Sequence, residues 1–129
     1  MQKLIKPWFL NDRLFKILSV LATIVVIYLS LKAPNPDAKK WYFLLIRGDL
    51  VLHFICYLGL SSIYFYAFFN IEKGKIYAFL LSLFVGVLLE SLQIIPFFKR
   101  FFDFQDLIAN IFGSTLGISI NKFIFDSNK

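Results

Sequence analysis

Four stretches of nearly unbroken apolar residues, Leu14–Leu31, Leu50–Phe69, Ile76–Ile95 and Leu107–Phe125, alternate along this chain with polar connections. Each is 18 to 20 residues long, enough for a helix rising about 1.5 Å per residue to cross a hydrocarbon core of about 30 Å. None shows the period-two alternation of a membrane strand, and each is about twice the length such a strand needs. Only a helix satisfies every backbone N–H and C=O within a lipid-embedded span. The pattern therefore predicts an all-α, polytopic membrane protein, a bundle of four transmembrane helices forming a single membrane domain over residues 1–129.

The connections carry their own punctuation. Pro34 and Pro36 stop the first helix, and the segment through Arg47 reads as the longest loop, with Trp41 and Tyr42 suited to the headgroup level. Asn70 to Lys75, with Gly74, reads as a short polar turn, so the second and third spans run antiparallel. Pro96 ends the third span, and a second short connection carries Lys99, Arg100 and Asp103. No internal repeat or low-complexity tract stands out.

Composition agrees with this class. Hydrophobic residues make up 59% of the chain, above the roughly 45–50% of soluble domains, and 17 Phe contribute much of the excess. The formal charge of +6 would suit nucleic acid if it formed a stripe. Instead the Lys and Arg residues flank the apolar runs, as contact with anionic headgroups requires, which argues against a nucleic-acid partner. With the N-terminus inside, the inner segments collect Lys3, Lys6, Arg13, Lys16, Lys73, Lys75, Lys122 and Lys129, eight against six outside. This bias favours both termini inside. The first run is long, and Lys32-Ala33-Pro34-Asn35-Pro36 offers no convincing small-x-small site, so it is expected to remain as a span rather than be cleaved as a signal. The single Cys56 permits no intrachain disulfide and reads as a small hydrophobe.

An ionisable side chain inside a span costs a few kcal/mol or more unless it faces protein, water or a partner. Asp49, His53 and Tyr57 recur at four-residue spacing and share a face of the second helix. Gly86, Glu90 and Gln93 share a face of the third. In the fourth, Asp103, Asp106, Asn110, Gly113 and Gly117 fall within an arc of roughly 80° at about 100° per residue. Because neighbouring spans alternate in direction, Asp49, Glu90 and Asp106 all fall at one membrane face, the external one if the termini lie inside. Gly113 and Gly117 have the spacing that lets two helix backbones approach closely.

Taken together, Asp49-x-x-x-His53-x-x-x-Tyr57, Glu90-Ser91-Leu92-Gln93 and Arg100-x-x-Asp103-x-x-Asp106-Leu107-x-x-Asn110-x-x-Gly113-x-x-x-Gly117 resemble the VanZ-like family over residues 48–120. The resemblance implies a small multi-pass protein of the bacterial cytoplasmic (inner) membrane and cell envelope, in a family named after an accessory factor in antibiotic resistance, low-level resistance to the glycopeptide teicoplanin. It brings no settled mechanism, and extending resistance to this chain would be analogy at the level of fold.

Three readings of the polar set follow. In the structural one, Arg100 or His53 neutralises a carboxylate while Glu90, Gln93 and Asn110 bond neighbouring helices. In the binding one, the outer face holds a lipid-linked envelope precursor or an amphiphilic antibiotic. Arg100 would then pair with a phosphate or carboxylate, His53 and Gln93 would donate hydrogen bonds, and the Phe-rich rim from Pro96 to Phe104 would hold the chain. The alternative is a metal-dependent enzyme acting on a membrane lipid or polyprenyl phosphate, with Asp49, His53, Glu90, Asp103 and Asp106 as base or ligands. The reading leans away from catalysis, because no nucleophile or phosphate-loop motif is present and one His cannot build a two-His zinc site. The sequence assigns no catalytic residue, no cofactor and no metal. It points to membrane lipids as partners and leaves an oligomer open.

Overall fold

The computed structural model describes residues 12–127. Lys3, Lys6 and Lys129, counted in the charge bias, lie outside them. Among the described residues, four helices are long and apolar enough to cross a membrane: α1 (Asp12–Leu31), α2 (Gly48–Ala67), α3 (Gly74–Leu92) and α4 (Phe104–Ser127). The four-helix membrane architecture expected from hydropathy is the one found.

Helix ends differ from the hydropathy runs for local reasons. The third run continues to Ile95, but α3 stops at Leu92 and Ile95 is extended at φ −68°, ψ 123°. The ring of Pro96 disfavours helical backbone in the residue before it. A single 3₁₀ turn, Pro96–Phe98, follows. The fourth helix starts three residues before its apolar run because the Asp103 carboxylate accepts the backbone N–H of Gln105 at 2.8 Å, taking up a donor that the first turn leaves without a partner. Between α2 and α3 the chain folds back over Phe68, whose carbonyl accepts the N–H of Ile71 at 3.0 Å. Gly74 then passes so close to that carbonyl oxygen that a β-carbon would overlap it.

The connection expected as a plain loop contains a small antiparallel hairpin, β1 (Tyr42–Phe43) with β2 (Ile46–Arg47), in which Tyr42 faces Arg47 and Phe43 faces Ile46. Leu44, at the turn, has φ 56°. The Gly48 N–H donates to the Trp41 carbonyl at 2.8 Å, which sends the chain from β2 directly into α2. The Trp41 indole lies over Gly48 where any β-carbon would sit. This hairpin places Arg47 at the N-terminal end of α2.

α2 is central: it packs against all three other helices, most extensively against α4. A β-carbon at Gly113 would fall on the carbonyl oxygen of Phe54, and one at Gly117 on the hydroxyl of Ser61. The two glycines thus let α4 lie against the α2 backbone, close packing of the kind that holds helices together where lipid removes the hydrophobic drive. The core joins Val26, Tyr57, Leu60, Tyr64, Ala78, Val85 and Leu89. The outer faces are apolar and exposed, as on α1 at Val20, Leu21, Ile24 and Val25, the reverse of a soluble protein and what a lipid solvent allows.

Candidate functional site

The N-terminal ends of α2 and α4 and the C-terminal end of α3 meet, and their polar side chains form two layers. The outer layer centres on Arg47. Its Nη2 lies 2.6 Å from Asp49 Oδ2, 2.9 Å from Asp103 Oδ2 and 3.5 Å from Asp106 Oδ1, while Nη1 donates to Gln105 Oε1 at 3.2 Å. Hydrogen bonds to Asp49 and Asp103 hold the guanidinium above its ordinary pKa. The same Arg47 contact holds the Asp103 carboxyl below the ordinary carboxylate range, against a smaller upward push from burial. Three carboxylates on one guanidinium leave this layer acidic.

The inner layer is built on His53, one turn beyond Asp49. Its Nδ1 lies 2.9 Å from Asn110 Oδ1 and 3.9 Å from Glu90 Oε1, and its Nε2 lies 3.4 Å from Asp106 Oδ2. Glu90 and Asn110 are almost fully buried. Asp106 joins the layers, with one oxygen towards Arg47 and the other towards His53. Gly86 makes room for this arrangement: a β-carbon there would meet the Tyr57 ring at 3.3 Å and the Asn110 amide at 3.5 Å. Four buried polar atoms, Tyr57 Oη, Glu90 Oε2, Asn110 Nδ2 and Ser114 Oγ, have no hydrogen-bond partner among the described residues. Each such atom costs about 1–3 kcal/mol, more for a charged group.

The structure therefore brings Asp49, His53, Glu90, Asp103, Asp106 and Asn110 together, with Tyr57 one turn deeper on α2. Two residues expected with them lie apart from this cluster. Arg100, expected to neutralise a carboxylate, donates its Nε to the Lys32 carbonyl at 2.7 Å and forms no ion pair among the described residues. Gln93, buried as expected of a polar residue in a span, donates Nε2 to the Ser30 carbonyl at 3.0 Å. Both tether the C-terminal end of α1, whose last carbonyls lack helical partners. Arg47 takes the position foreseen for Arg100 because the hairpin delivers it to the start of α2.

Two features lie outside the polar set read from the sequence. Asn121 accepts from Tyr66 Oη at 2.7 Å and donates to Ser62 Oγ at 2.9 Å and to the Gly117 carbonyl at 2.7 Å, tying α2 to α4 farther along the bundle. Its signal was available, since it continues the Asn110, Gly113, Gly117 stripe by one more turn. The second is an apolar groove of about 1120 Å³ between α2 and α4, walled by the hairpin. Trp41, Phe43, Leu50, Phe54, Ile108 and Phe112 line it, and Arg47 and Gln105 are its polar members. The Phe-rich rim from Pro96 to Phe104, expected to hold an apolar chain, is absent from that lining, and Phe97 and Phe101 project away from the protein.

Searches of curated proteins and of solved structures returned no match. A family model described as VanZ/LLP1 matches residues 11–125, an interval that takes in the first three spans, all but the last two residues of the fourth, and every member of both polar layers. On the strength of that match over nearly the whole sequence, the chain belongs to the VanZ/LLP1 family.

Proposed function

We propose that this protein is a non-catalytic accessory protein of the bacterial envelope that binds an amphiphile, with the ligand's apolar chain in the groove between α2 and α4 and its polar head at the Arg47 layer. The supporting observation is the continuity of the two: an aromatic-lined groove larger than many ligand pockets, which run from about 300 to 1,000 Å³, reaches Arg47 and Gln105. Annular lipid needs no such concavity. The charge balance narrows the head group. Asp49, Asp103 and Asp106 already engage Arg47, so the layer favours a head that donates hydrogen bonds or carries positive charge. Glycan-bearing or amine-bearing amphiphiles meet that condition, whether lipid-linked envelope precursors or lipid-bearing glycopeptides. With the termini inside, the head would sit at the outer leaflet.

A photoreactive diazirine lipid with a sugar head tests the reading in detergent and in vesicles. Crosslinks should concentrate at Leu50, Phe54 and Phe112, and Ala109→Trp, which fills a groove-lining position, should reduce them at least fivefold. Labelling spread equally over α1 and the groove, and unchanged in Ala109→Trp, would mean ordinary lipid contact and reject the proposal.

A further inference from the structure

We propose that His53, Glu90 and Asp106 form a binding site for one divalent cation with octahedral preference, of the Mn²⁺ type. The three side chains come from three different helices, and each offers a ligand atom within 4.8 Å of the others. An ion about 2.0–2.3 Å from each ligand closes that span with side-chain shifts of a few tenths of an ångström.

The unmatched chemistry of the inner layer points to a ligand. Glu90 is 1% exposed, and its Oε2 has no partner among the described residues. Besides a backbone hydrogen bond from Asp103, the carboxyl meets the imidazole through Oε1 at 3.9 Å, and among the described residues no lysine or arginine forms an ion pair with Glu90. A buried carboxylate with one idle oxygen and no full countercharge is among the most expensive groups a protein can carry. His53 is held as metal-bound histidines usually are, with its second nitrogen on an amide oxygen, here Nδ1 on Asn110 Oδ1 at 2.9 Å. With Nδ1 on Asn110 Oδ1, the ring turns Nε2 towards Asp106 Oδ2 at 3.4 Å. An imidazole nitrogen and a carboxylate oxygen thus face one another, two atoms of the kinds that a cation between them would take as ligands.

The donor set selects the ion. Two carboxylates and one imidazole are too poor in nitrogen and sulfur for a closed structural zinc site, while the imidazole favours Mn²⁺ over Mg²⁺ or Ca²⁺. Three protein ligands leave coordination positions for water or another oxygen donor. The cation would bring the inner layer close to neutrality, and its binding does not depend on what fills the apolar groove.

The test is a Mn²⁺ titration of detergent-purified, chelator-stripped full chain, following the free-ion signal by electron paramagnetic resonance. One Mn²⁺ per chain should be taken up with a Kd below about 50 µM, a range set by a three-ligand oxygen-rich site, and with a rise in melting temperature. Glu90→Gln keeps the shape of the side chain and removes its charge. With helix content verified by circular dichroism, it should weaken uptake at least tenfold, whereas Glu72→Gln, on the exposed turn between α2 and α3, should leave it unchanged. Failure of the wild-type chain to take up Mn²⁺ at 1 mM, a concentration about twentyfold above that Kd, would overturn the proposal and make the trio a purely internal ion pair. Equal uptake by Glu90→Gln would overturn it as well.

Discussion

The guanidinium of Arg47 lies 2.9 Å from the Asp103 carboxylate, joining the end of the hairpin to the start of α4 across 56 positions of sequence. Asp103 also caps α4 through the Gln105 N–H, so a single carboxylate ends one connection and begins a helix. The ends of α2 and α4 are thereby held together from outside the bundle, while Gly113 and Gly117 hold them together within it.

Arg47 and Arg100 should respond differently to the same substitution. Arg47→Met removes the one cation shared by Asp49, Asp103 and Asp106 and is expected to cost about 1–2 kcal/mol, between the values for an exposed ion pair and a charged hydrogen bond. Arg100→Met removes its hydrogen bond to the Lys32 carbonyl and is expected to cost under about 1 kcal/mol. Chemical unfolding in mixed micelles measures both. A larger loss for Arg100 would reverse the assignment.

A helix-packing glycine and an open one make a second pair. Gly113→Ala places a methyl group on the Phe54 carbonyl, which must push α4 away from α2, and overpacking of that kind costs about 1–3 kcal/mol. Nothing lies within 4 Å of a β-carbon at Gly59, in the central helix α2. Gly59→Ala is therefore expected to stabilise by about 0.5–1 kcal/mol through helix propensity. Melting temperatures moving in opposite directions would verify the contrast; equal shifts would refute it.

The acid limb of stability should carry the signature of Asp103. Its folded pKa is depressed by Arg47, so its contribution is complete above the unfolded value of about 3.9 and is lost as pH falls through the lower folded value. Melting temperatures recorded from pH 6 down to pH 2.5, a range chosen to bracket about 3.9, should fall at the acid end. Asp103→Asn should flatten that part of the fall while lowering stability near neutrality. An acid limb of unchanged steepness in the variant would show that other carboxylates govern it.

The apolar runs alone determined the membrane class, the number of spans and their alternating direction, because run length against bilayer thickness leaves few alternatives. Helical periodicity also placed His53, Glu90, Asp106 and Asn110 on inward faces, since four-residue spacing survives any packing of the helices. Which arginine meets the carboxylates was a different kind of question. Arg47 and Arg100 both sit in connections, where no period fixes the direction of a side chain. The tertiary structure decided for Arg47 because a two-residue ladder and the Gly48–Trp41 contact aim it at the bundle end. The reach of Gln93 to α1 and the groove between α2 and α4 likewise arise only when helices from distant parts of the chain close on one another. A face can be read from spacing along one helix; a partner across the bundle depends on distances that exist only after packing.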